Sequence, residues 1–201
     1  MSIFRGFKWA GNLVLAVFLF APISVPRAAD DTQNFAVKGA GLANCGAYIE
    51  ARQQNAPAFY QFGGWINGYL TALNQLTPET YDLAPWQSSD LLAGVILRNC
   101  RENPEQRFVK TVAAMVSSLN EQRLLTKSPL VEARVGATRI RIYQEQLRRT
   151  QEKLAESGLY AGQPDGLFDQ RTEDALRAYQ QAGRLAETGL PDQATLLAMF
   201  Y

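Results

Sequence analysis

The sequence predicts an all-α chain in two parts, a disulfide-linked small helical domain followed by a three-helix bundle. Three observations carry that reading. Apolar residues recur at spacings of three and four in both halves, as one buried helical face requires. Two cysteines, Cys45 and Cys100, each fall on such a stripe. Between the halves, Lys127-Ser128-Pro129 and Gly136 break the pattern, because a residue before proline is steered away from helical backbone and glycine weakens a helix.

Residues 1–29 read as a secretory signal. Arg5 and Lys8 make a basic start, an uncharged and largely apolar stretch runs from Trp9 to Pro26, and Ala28 and Ala29 precede Asp30 and Asp31. Pro26 and Arg27 are poor residues three positions before the two candidate cuts, which leaves a retained membrane anchor as the alternative to cleavage. No cysteine stands at the junction, so a lipid-anchored form is not expected. The organisation that follows is a signal over 1–29, a helical domain over 30–126, a linker over 127–139 and a terminal domain over 140–201.

The remaining composition narrows the function. The 201 residues are 47% hydrophobic and 19% charged, ordinary for a folded protein and unlike a disordered or multi-span membrane chain. Without residues 1–29, 17 basic face 19 acidic residues, a formal charge of −2, so nucleic-acid binding has no electrostatic footprint. No membrane contact is expected once the signal is removed. An even cysteine count in an exported chain favours one Cys45–Cys100 disulfide, with two buried free thiols as the alternative.

Histidine is absent. With the cysteines tied together, the usual ligands of a catalytic zinc and the bases of serine and cysteine nucleophiles are missing, and no cofactor or metal is expected. Paired-carboxylate glycosidase chemistry needs neither residue type. Glu79, Asp82 and Asp90 are the clustered carboxylates of the first half, and they read as turn and cap residues, so the chain is expected not to be an enzyme.

In the first half, Phe59, Phe62, Ile66, Tyr69 and Leu73 place a helix over 57–74. Ser89 is positioned to cap the next helix, in which Leu92, Ile96 and Cys100 share a stripe. Leu42, Cys45 and Ile49 follow the same rhythm, so a bridge between two packed helices is reasonable. Asn103-Pro104-Glu105-Gln106 reads as a helix start, with Asn103 as cap, Pro104 in the first turn and Gln106 closing a capping box; Phe108, Val112, Met115 and Leu119 follow as the buried stripe. Trp65, Tyr69, Tyr81 and Trp86 are expected to pack in the core, with a client-binding surface as the alternative reading.

Cys45, the run Trp65-Ile66-Asn67-Gly68-Tyr69, the helix ending in Cys100 and Asn103-Pro104 together resemble the HdeA-like group of small periplasmic helical domains, over about ninety residues. That group includes acid-stress chaperones and immunity proteins that block secreted wall enzymes. The resemblance therefore implies a client protein or a cell-wall enzyme as partner through residues 30–126. A pH switch would depend on carboxylates in strong acid, since no imidazole is present.

From Ile140 to Ser157 the spacing of Tyr143, Leu147 and Leu154 predicts that helix resumes. The stretch Gln151 to Thr195 then carries Gln151-x-x-Leu154, Gly158-Leu159-Tyr160-x-Gly162, Asp165-Gly166-Leu167-Phe168-x-x-x-Thr172, Ala175, Tyr179-Gln180, Thr188-Gly189 and Asp192-x-x-Thr195. Pro164-Asp165-Gly166 supplies a tight turn, and Asp169 and Asp192 are placed as helix caps. These elements, in this order, resemble the short peptidoglycan-binding domain found at the ends of wall enzymes. Asp169 departs from the glycine usual there, with no harm to the fold expected.

The resemblance implies peptidoglycan as partner and a cell-wall-associated, periplasmic location. The residues singled out for binding are Tyr160, Asp165, Gly166, Phe168, Arg171, Thr172 and Gln180. Tyr160 is suited to stack on a sugar or cover a peptide, Arg171 to pair with a stem-peptide carboxylate, and Gln180 to hydrogen-bond amide or N-acetyl groups. Most of the same residues also have a scaffold reading, because a module this small needs its apolar positions to fold.

Overall fold

Asn44 opens the first helix by accepting the Ala47 N–H on its side-chain oxygen at 2.9 Å, and α1 runs Cys45–Gln53. The computed structural model describes residues 34–201, and the signal expected over 1–29 lies outside them. Val37–Tyr201 form one compact unit in the order α1, α2 (Pro57–Leu76), α3 (Ser89–Glu102), α4 (Phe108–Leu119), β1 (Leu130–Val135), β2 (Thr138–Tyr143), α5 (Gln144–Glu156), α6 (Gln170–Ala182) and α7 (Gln193–Phe200). The fold is thus mostly helical, with one two-stranded sheet that the all-α expectation did not include.

The Cys45–Cys100 disulfide is present and ties the start of α1 to the end of α3. It encloses a segment of 55 residues, a length whose closure stabilises a fold by about 4 kcal/mol in the chain-entropy account. Around it, Tyr48, Phe62, Ile96, Phe108, Val112 and Met115 build the core of the first half. Tyr48 and Phe62 meet edge to face at 5.2 Å, and Phe62 and Phe108 at 4.7 Å. The Tyr48 hydroxyl donates to the Ala93 carbonyl at 2.9 Å, and burial raises its pKa. Trp65 stacks on Tyr69 and donates from Nε1 to the Lys38 carbonyl, which assigns both rings to packing. Leu42, expected on the buried stripe, is exposed on a 3-10 turn ahead of α1.

Local corrections have clear causes. Ser88, not Ser89, caps α3, accepting the Leu91 N–H. Asn103-Pro104 does not open α4, which begins at Phe108; Asn103 instead ends α3, and the following turn returns to α1. The Pro104 and Gln106 carbonyls accept the Gly46 and Cys45 N–H groups at 2.8 and 2.9 Å. These are orphan amides of the first turn of α1, so a tertiary demand overrides the local start signal.

The stretch expected as a linker forms a hairpin, and the helix expected from Ile140 begins only at Gln144. Val131, Ala133 and Val135 alternate with Glu132 and Arg134, and Ile140 and Ile142 with Arg139 and Arg141. That is the period of a strand with one covered face. Val135 pairs with Thr138 across the Gly136-Ala137 turn, and Ala133 and Ile142 are buried.

The terminal bundle α5–α7 is docked on the first half. Trp86 packs in one cluster with Ile142, Leu147 and Leu196, supported by Leu91 and Phe200. Its Nε1 donates to Gln122 Oε1 at 3.0 Å, and Gln122 Nε2 donates to the Phe200 carbonyl at 3.0 Å. Gln193, the first residue of α7, accepts the Ser88 N–H at 2.8 Å and donates to the Trp86 carbonyl. Trp86 is therefore a core residue, at the joint of the two halves.

Candidate functional site

Gln151 organises the first corner of the bundle. It lies on the inward face of α5, fully buried, and its Oε1 accepts the Asp165 and Gly166 N–H groups at 2.9 and 2.7 Å. Its Nε2 donates to the Leu167 carbonyl, to Thr172 Oγ1 and to Asp165 Oδ1. Gly166 has φ +73°, and a Cβ there would stand 2.3 Å from the Gln144 carbonyl oxygen. Only glycine meets both conditions. Asp169 then caps α6, its Oδ1 accepting from Thr172 N–H and Oγ1 at 2.9 Å each.

The arrangement occurs twice. Gln180, on α6, accepts the Gly189 N–H at 2.8 Å and donates to the Leu190 carbonyl, Thr188 Oγ1 and Thr195 Oγ1. Gly189 has φ +68°, and Asp192 caps α7 through Thr195 N–H and Oγ1. The sequence repeats accordingly, Gly166-Leu167-Phe168-Asp169-Gln170-Arg171-Thr172 against Gly189-Leu190-Pro191-Asp192-Gln193-Ala194-Thr195. This internal repeat is a signal that reading the motif as a single series passed over.

The two corners differ in what covers them. Leu190 is 2% exposed and Leu167 is 52% exposed. Gln193 is engaged by Trp86 and Ser88, whereas the exposed Gln170 side chain bonds, among the described residues, only within α6, to Asp174. The first corner alone is open.

Of the residues singled out for binding, Asp165 and Arg171 are exposed at this open corner. Gly166 is buried beneath it as the turn residue, and Phe168 is half-buried between two core clusters. Thr172 and Gln180 are fully buried and hold the two corners together. Tyr160, 6% exposed, packs with Leu154, Ala175 and Leu176, leaving its ring no free face of the kind a sugar would need. Arg171 donates to Asp169 Oδ2 at 2.8 Å, and that ion pair holds the guanidinium pKa above its ordinary value. Burial pushes the Asp169 carboxyl up, but the Thr172 and Arg171 hydrogen bonds outweigh it and leave the group below the usual carboxylate range.

A cleft of about 510 Å³ adjoins the corner, between residues 124–129 and the start of α5, with Asp165 at its rim. Arg148 grips Glu145 with two bonds of 2.8 Å and also bonds Glu152; Arg149 donates to Glu145 and to the Gln122 carbonyl. Arg148 chiefly, with Arg149, draws the Glu145 carboxyl below its ordinary pKa against the upward push of burial. Lys127, exposed on the opposite wall, makes no ion pair among the described residues. The Ser128 hydroxyl accepts the Glu145 N–H, which spends it on the helix start. The cleft thus offers hydrogen bonds and one uncompensated cation to a polar ligand. Among the described residues no group of three or more metal-ligating side chains occurs, and Glu79, Asp82 and Asp90 sit at a turn, at an isolated bridge to Leu124 and in the first turn of α3.

Residues 143–199 match the family described as "Putative peptidoglycan binding domain", from the last residue of β2 to the last turn of α7. Comparison with curated proteins and with solved structures gives no match.

Proposed function

We propose, on the premise that residues 143–199 are a peptidoglycan-binding module, that the chain is a non-catalytic periplasmic protein holding an HdeA-like domain at the cell wall. The observation that supports the site assignment is the asymmetry of the repeat: one corner is closed by the first half of the chain, and its twin presents Leu167, Asp165 and Arg171 to solvent. Leu167 offers apolar area to a sugar or peptide face, Arg171 a guanidinium to a carboxylate, and the adjoining cleft room for a peptide arm.

Co-sedimentation of the full chain with purified sacculi tests the reading. Leu167→Asp and Arg171→Glu are expected to reduce retention at least tenfold, and Arg101→Glu, on α3, to leave it unchanged. Equal retention of all three variants would refute the assignment of the corner, and no retention of the unmodified chain would refute wall binding itself.

A second reading concerns residues 30–126 as a chaperone or an inhibitor of a secreted wall enzyme. A groove of about 300 Å³ between α2 and α3 favours it, because exposed Tyr60 and half-buried Phe59 stand beside Gly63 and Gly64, over which space is open. Protection of an unfolding client in strong acid, lost in Tyr60→Ser, supports the chaperone form. Equal aggregation with and without the protein at both acidic and neutral pH excludes it.

A further inference from the structure

The chain satisfies its buried glutamines with care, except at one position. Gln151 and Gln180 each use both ends of the amide, as described above. Gln146, on the same helix as Gln151 and 1% exposed, has neither its oxygen nor its nitrogen hydrogen-bonded. Apart from Arg123 Nε, these are the only buried side-chain polar atoms without a partner among the described residues. An amide buried in this way forfeits the bonds it had with water, so a group that supplies both a donor and an acceptor is held strongly there.

Gln146 also lines a cleft. Gln146, Arg149 and Lys153 fall at spacings of three and four along α5 and make one wall, facing Glu121 and Gln122 of the 3-10 turn Asn120–Gln122 and Phe200 of α7. The cleft encloses about 220 Å³, several times the roughly 30 Å³ that one water occupies in the liquid. Its cations are already committed, Arg149 to Glu145 and backbone carbonyls and Lys153 to Glu156. The polar groups left uncommitted are the Gln146 amide and the exposed Glu121 carboxylate, which has no ion pair among the described residues. A carboxamide without partners on either end is complementary to another amide, whose N–H meets its oxygen and whose carbonyl meets its nitrogen.

We infer that the cleft between α5 and the Asn120–Gln122 turn is a second binding site, for a secondary amide group recognised by Gln146. The inference rests on the wall-binding reading for its natural ligand, since murein offers that group twice, in the acetamido arms of its sugars and in the peptide bonds of its stems. The site lies on the joint between the two halves, with Gln122 and Phe200 already bonded across it. A ligand seated there touches both halves at once.

The test uses the full chain, with the isotope-labelled side-chain amide of Gln146 assigned by its loss in Gln146→Leu. Di-N-acetylchitobiose carries acetamido groups and no peptide; acetyl-alanyl-alanine amide carries peptide bonds and no sugar. A shift of the Gln146 resonance with either probe is expected, and which probe acts names the source. Gln146→Leu is expected to weaken that probe about tenfold, ~1.4 kcal/mol. Glu121→Trp, an exposed position at the facing wall, is expected to block the same probe without touching the core, and serves if Gln146→Leu fails to fold. If neither probe moves the resonance while the chain still sediments with sacculi, the amide takes no ligand: the inference falls and the wall-binding reading stands. If sedimentation fails as well, both fall.

Discussion

Replacing Gln151 with leucine tests whether the binding corner is held by one side chain. Leucine keeps most of the volume and the helix, and removes all five hydrogen bonds from the amide to residues 165–172. Thr172 Oγ1 keeps its bond to Asp169, and Asp165 Oδ1 keeps the Leu167 N–H. The buried Gly166 N–H and the Leu167 carbonyl lose their best partner. At roughly 1–3 kcal/mol for each buried group left unmet, and with partial rehydration of an exposed turn, the expected loss is about 3 kcal/mol. In a chain of this size that lowers Tm by about 6–12 °C. Denaturant unfolding and sacculus co-sedimentation measured on one preparation give the assay: stability falls, and wall retention falls further than stability alone explains, because Asp165 and Leu167 lose their fixed positions. A variant within about 0.5 kcal/mol of the parent, with full retention, would refute the view that Gln151 builds the corner.

Three further outcomes are expected. Reduction of Cys45–Cys100, followed by denaturant unfolding, lowers stability by about 4 kcal/mol, and a change below about 1 kcal/mol would show that the unfolded chain does not feel the constraint. The folded pKa of Asp169 lies below its unfolded value, so its contribution is complete above the unfolded pKa and lost as pH falls through the folded one; Asp169→Asn, which keeps a capping oxygen, should flatten the fall of stability between about pH 5 and pH 2, and an unchanged slope would refute this. Burial, with Asp82 and Tyr81 nearby, pushes the Tyr143 phenol up to about 12, so its contribution holds below the unfolded pKa and is lost as pH rises through the folded one; ultraviolet titration should show a late-ionising tyrosine that Tyr143→Phe removes, and its persistence in that variant would assign the signal elsewhere.

Much of the fold was legible in the residues because its causes are local. The stripe from Phe59 to Leu73 is buried or half-buried on α2, and Asp169 and Asp192 cap the helices they precede, since each signal acts within one or two turns. The hairpin was missed although its alternation is present in the sequence, because each run is six residues long and the interrupting Gly136-Ala137 reads equally well as a linker or a turn. Asn103-Pro104 was misread for a different reason: the carbonyls of its turn are claimed by α1, about sixty residues earlier in the chain.

The candidate site divides along the same line. By themselves the residues determined the disulfide partners, the motif from Gln151 to Thr195 and the corner at Asp165-Gly166, because cysteine count, turn chemistry and capping need no distant partner. Which of two nearly identical corners stays open was decided by tertiary structure, where Trp86 and Ser88 reach across to Gln193 and leave Leu167 and Gln170 in solvent. Exposure is a property of what packs on a surface, and no spacing along the chain encodes it until the halves meet.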